Sequence, residues 1–133
     1  LLVTKDHPLA ERAHIVPADL VGLDLICSRQ QMVANELSAW IGKRMEMLNV
    51  VATYTLLYNA SLMVLEGVGA AVCLDGIIDT SDTSLLCFRP FKPSLKVSLD
   101  VAWKKHQVFS KAADAFLQNL RKCLLKEHLL PNA

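Results

Sequence analysis

Apolar and polar positions change period several times along the chain, and each change predicts an element. Residues 23–27 form a short apolar run between Gly22 and Ser28, which predicts a buried strand. Over 31–41, Val33, Leu37, Trp40 and Ile41 share one helical face, and Gly42 supplies the stop. Residues 49–55 are β-branched and aromatic, a second strand. Residues 56–66 return to helical spacing with Leu56, Ala60, Met63 and Val64, and Gly67 closes them. Residues 68–74 are a strand of small residues ending in an Asp75-Gly76 turn. Strand, helix, strand, helix, strand is the pattern of a parallel sheet with right-handed crossovers.

The flanks add further elements. At 5–12 the chain reads as a junction, because Pro8 blocks both continued sheet pairing and a helix interior. Asp19, just before Leu20, is placed to cap a single helical turn. After a polar loop at 79–84, residues 84–91 and 95–105 are both strand-like. A final helix spans 110–125 with Ser110 as its N-cap. Its stripe of Ala113, Phe116, Leu117, Leu120 and Leu124 is wide enough to demand a covering surface. No internal repeat or low-complexity tract interrupts the series.

Composition narrows the class. The 133 residues are 53% hydrophobic and 20% charged with a net charge of +1, which predicts a globular chain without the basic footprint of a nucleic-acid reader. No apolar run reaches the roughly 18 residues that a membrane span needs, and the opening lacks the pattern of an export signal. Cys27, Cys73, Cys87 and Cys123 are widely spaced, which predicts buried free thiols in a reducing cytoplasm. Candidate chemistry is sparse. His7, His14, His106 and His128 are scattered without metal-ligand spacing. Nucleophile-elbow, Walker A and dinucleotide fingerprints are missing. The glycines of Glu66-Gly67-Val68-Gly69 follow a helix and open a strand, the reverse of a dinucleotide loop, and are read as a helix C-cap. Asp19, Asp24 and Asp75 have no evident partner for acid–base work. No catalytic residue, metal or cofactor is expected.

Taken in order, Lys-Asp-His-Pro-Leu-Ala at 5–10, Ala-Asp-Leu-Val-Gly-Leu-Asp-Leu-Ile at 18–26, the stretch 62–77 and the stretch 99–120 resemble the C-terminal effector-binding region of LysR-type transcriptional regulators. The resemblance runs over roughly residues 2–122; its order and spacing are specific, although each segment alone is loose. It departs at Leu74-Asp75, where the family often has Leu-Pro. It implies a type 2 periplasmic-binding-protein-like fold: an α/β, three-layer, parallel-rich sheet with flanking helices. Residues 1–7 would be the hinge strand from a first lobe, 8–98 the second lobe, and 99–133 the return hinge strand and C-terminal helix. Strands near 2–5 and 99–104 would then lie antiparallel and adjacent. The winged helix-turn-helix and most of the first lobe would lie upstream of residue 1, and DNA would be bound only through that part.

An effector site is expected beyond the carboxyl ends of the strands, where helix N-termini expose N–H groups. Ser28 can donate and accept there, Arg29 can hold a carboxylate in two places, and Thr53, Thr55 and Asn59 add short polar groups. Four of the five also have a plainer reading: Ser28 as an N-cap, Arg29 and Asn59 as solvated side chains, Thr53 as an ordinary strand residue. The function implied is the ligand-sensing part of a cytoplasmic regulator that takes a small anionic metabolite and assembles as a homodimer or higher oligomer. The alternative is a solute-binding protein of the same fold; an enzyme ranks third for want of an acid–base pair or activated nucleophile.

Overall fold

The computed structural model describes residues 1–30, 36–42, 48–97 and 101–126. The chain divides into two compact units, Leu1–Val97 and Ser98–Ala133. The first is built on a five-stranded mixed sheet whose order is β3-β2-β4-β1-β5. Its strands are β1 (Leu2–Thr4), β2 (Leu25–Ser28), β3 (Val50–Tyr54), β4 (Ala70–Ala71) and β5 (Leu86–Phe88). Two helices connect the central strands: α1 (Glu36–Ile41) and α2 (Leu57–Leu65). Residues 31–35 of the helix expected at 31–41 lie outside the described residues.

β2 runs parallel to both β3 and β4, whereas β1 is antiparallel to both β4 and β5. Four strands therefore share one direction, and β1 alone is reversed. Alternation along each strand sorts the core onto two faces. On one face Val3, Leu25, Cys27, Ala70 and Val72 pack with Leu37 and Ile41 of α1 and with Leu20. On the other, Leu2, Ile26 and Ala71 pack with Leu57, Ala60 and Val64 of α2. Helix, sheet and helix make three layers, and Leu25, Ile26 and Cys27 at the centre are wholly buried.

Local signals explain the ends of these elements. The Gly67 N–H donates to the Val64 carbonyl at 3.0 Å and the Val68 N–H to the Met63 carbonyl at 3.0 Å, a paired C-terminal cap that needs positive φ at the glycine. A short 3-10 turn, Pro17–Leu20, is capped as expected: the Asp19 carboxylate accepts from the Val16 N–H at 2.9 Å. A second turn, Pro8–Glu11, is tied to β5 by the Arg89 guanidinium, which donates from Nε to the Ala10 carbonyl at 2.8 Å. Every buried side-chain nitrogen and oxygen among the described residues has a partner.

The return strand expected at 99–104 is a correction. Residues 101–104 carry no regular structure, and 99 and 100 lie outside the described residues. A strand has only two pairing edges, and both edges of β1 are occupied, since Leu2 pairs with Ala71 on one side and Phe88 on the other. The segment 84–91 supplies that second neighbour as β5. The thiols also differ in part from expectation: Cys27 and Cys87 are buried, Cys73 is half-buried and Cys123 is exposed, all four free. In the second unit, Trp103 and Phe109 meet edge to face at 6.1 Å. There α3 (Lys111–Lys126) begins as expected, with the Ala113 N–H donating to Ser110 Oγ at 3.2 Å.

Gly69 sets how closely β4 enters beside β2. A Cβ there would stand 2.5 Å from the Asp24 carbonyl oxygen, which is backbone and cannot swing aside. Gly69→Ala is therefore expected to cost about 1–3 kcal/mol of stability by overpacking, read as a lowered midpoint in urea denaturation with an unchanged slope.

Candidate functional site

The order of the strands creates a crevice. From β2 the chain passes over one face through α1 to β3 on one side; from β3 it returns over the opposite face through α2 to β4, on the other side of β2. The connections leaving β2 and β3 thus diverge to opposite faces, and an open sheet binds ligands outside its carboxyl ends at such a point.

Ser28 ends β2 and is half-buried, beside Tyr54 at the end of β3. Arg29 follows as the first residue of helical conformation, exposed, and its guanidinium makes no ion pair with a described residue. Thr55 directly follows β3 and is exposed. These three come together on the carboxyl edge. Thr53 is exposed but pairs with Cys27, so it faces the α1 side of the sheet while Ser28 and Tyr54 face the α2 side. A register shift between Leu25 and Ile26 sets that division. Asn59 lies within the first turn of α2, exposed, with its backbone N–H turned to the Leu56 carbonyl at 3.1 Å. Leu56, the N-cap of α2, offers no side-chain cap, so the positive end of that helix also opens onto this edge.

Tyr54 was not among the expected residues. Its hydroxyl donates to the Val72 carbonyl at 2.8 Å, bridging from β3 across the end of β2 to the chain leaving β4. Burial pushes that hydroxyl's pKa above its ordinary value, so it stays a donor. The one signal for it was a tyrosine at a strand end, because a half-buried hydroxyl must find a partner. Beyond β4 the rim continues through Cys73 to Asp75, whose carboxylate accepts from the Gly76 N–H at 2.8 Å. A hollow of about 220 Å³ opens there between Val72, Leu74, Phe88, Phe91 and Leu95. Phe91 is held by stacking on Trp40, ring centroids 4.5 Å apart. The edge thus combines hydroxyls, one cation and an apolar hollow, a mixture that can orient a small molecule by polar groups and enclose its apolar part. Among the described residues, no group of three His, Cys, Asp or Glu side chains could hold a metal ion, and no helix is long and apolar enough to cross a membrane.

The chain matches the family model described as the LysR substrate binding domain over residues 1–124. No curated protein matches it.

Burial raises the Cys27 and Cys73 thiols from 9.0 to about 11. Their folded pKa values exceed the unfolded ones, so the stabilisation from keeping both thiols neutral is fully present below pH 9 and is lost as pH rises from 9 to 11. Denaturant midpoints are expected to fall as pH rises above 9. Iodoacetamide at pH 8 should label the exposed Cys123 first and spare Cys27 and Cys73, as peptide mass spectrometry would record.

Proposed function

Because the chain belongs to the LysR substrate binding domain family, we propose that it is the ligand-sensing part of a LysR-type transcriptional regulator, working by binding rather than catalysis. The observation that carries this reading is the carboxyl edge of β2 and β3, where Ser28, Arg29 and Thr55 meet the uncapped start of α2. The positive end of α2 and one guanidinium favour a small anionic effector. Residues 8–98 act as the second lobe of a type 2 periplasmic-binding-protein-like domain, residues 1–7 as its hinge from a first lobe, and 99–133 as the return segment and terminal helix. An effector held between lobes would bind one relative lobe orientation better than another. That differential affinity shifts how an upstream winged helix-turn-helix holds DNA in the cytoplasm.

The assembly proposed is a homodimer or higher homo-oligomer. α3 carries Phe116 at 64% exposure beside half-buried Leu117, Leu120 and Leu124, and each large apolar side chain that became covered would contribute roughly 1.5–3 kcal/mol.

Two experiments test this reading. In the complete regulator, Arg29→Ala and Thr55→Ala should raise the effector concentration for half-maximal response, about 10- to 100-fold for the arginine, whose charged hydrogen bonds are worth roughly 1.5–3 kcal/mol. Basal DNA binding in a mobility-shift assay should stay near wild type. Wild-type response in both variants would remove the site assignment. For assembly, sedimentation velocity should show dimers or larger species that Phe116→Asp converts toward monomer. A monomer at all concentrations, with Phe116→Asp harmless to stability, would refute the need for a partner surface.

A further inference from the structure

The parallel strands have a second end, and it too is hollow. A cavity of about 310 Å³ opens at the amino ends of β2 and β4, below the C-terminus of α2 and opposite the carboxyl edge described above. Its walls include Gly22, Gly67 and Gly69, which contribute no side chains, and a Cβ at Gly22 or Gly67 would meet nothing within 4 Å. The space is therefore wide where the backbone could have been covered.

Its polar lining is Thr4, His7 and Asp24. One oxygen of the Asp24 carboxylate accepts from Asn49 Nδ2, and the other has no partner among the described residues. The negative end of the α2 dipole lies beside it, through Val64 and the Gly67 cap. A carboxylate and a helix C-terminus on one cavity both favour a cation. His7, also in the lining, accepts the Leu9 N–H on Nδ1 at 3.1 Å, which leaves Nε2 as its N–H donor. His7 can then donate to an oxygen of the guest. The cavity volume lies at the lower end of the range for small-molecule sites, about 300 Å³ upward.

We infer that this cavity is a second small-molecule site, separate from the effector edge, for a small primary ammonium compound bearing an oxygen acceptor a few bonds from the nitrogen. The ammonium lies against Asp24 and the end of α2, and the oxygen accepts from His7. Amino alcohols and amino acids share this chemistry.

The test is a titration of the ¹⁵N-labelled 133-residue chain with ethanolamine at constant pH and ionic strength, read at the amides of Gly22, Gly67 and Gly69. So small a ligand is expected to bind in the millimolar range, where 1 mM corresponds to about 4 kcal/mol. Saturable shifts at these glycines are expected with ethanolamine and not with ethylene glycol, its uncharged counterpart. Asp24→Asn should weaken ethanolamine at least tenfold while the rest of the spectrum stays in place. His7→Ala keeps the carboxylate; it should weaken ethanolamine several-fold and leave ethylamine binding unchanged, which retains a test should Asp24→Asn fail to fold. Equal shifts with ethylene glycol, no saturable shift at the three glycines, or indifference to both substitutions would overturn the inference. None of these outcomes bears on the carboxyl edge, so the effector reading stands or falls separately.

Discussion

Burial of β2 on both faces is the constraint from which the remaining architecture follows. Leu25, Ile26 and Cys27 have no exposed surface, so neither face of the strand can be left to solvent and each must receive a helix. α1 covers one face and α2 the other. With right-handed crossovers, helices on opposite faces carry the chain in opposite directions along the sheet. β3 and β4 are thereby forced to opposite sides of β2. The crevice at the carboxyl edge is a consequence of covering one apolar strand twice.

The same constraint confines the polar chemistry. Leu25, Ile26 and Cys27 of β2 are spent on packing, so groups that must meet a ligand can only occupy the ends of the strand. Ser28 is the first residue of that strand not fully buried, and Tyr54, half-buried beside it, satisfies its hydroxyl on Val72 rather than on solvent. At the opposite end, Gly69 lets β4 approach the Asp24 backbone closely. There the carboxylate of Asp24, the end of α2 and His7 surround a cavity instead of a core. One sheet thus offers two ends of different electrostatic character: the start of α2 and Arg29 at the carboxyl edge, a helix end and Asp24 at the amino edge.

Much was legible from residues alone, and what was legible is local. The caps at Gly67, Asp19 and Ser110 each involve hydrogen bonds spanning at most five residues, so a glycine, aspartate or serine at the right offset is sufficient warning. The strands 25–28, 50–54 and 70–71 and the helix 57–65 follow from short apolar runs and helical spacing, because those periods are properties of contiguous sequence. The family itself was legible in the same way, from the order of such runs over most of the chain.

What only the tertiary structure decided depends on partners far along the chain. An alternating apolar segment at 99–104 has the composition of a strand, yet its described part, 101–104, carries no regular structure, and β1 had already given its edges to residues 71 and 86–88. Whether Thr53 shares a face with Ser28 was set by a one-residue slip between β2 and β3, which composition does not encode. The reach of Tyr54 to Val72, 18 residues away, required β4 to cross behind β2 first. Sequence by itself determined the elements and their family, since short-range periodicity and capping act within a few residues. The pairing of edges, the faces of the site residues and the two hollows were decided by long-range packing, because only the folded sheet brings together groups that lie far apart along the chain.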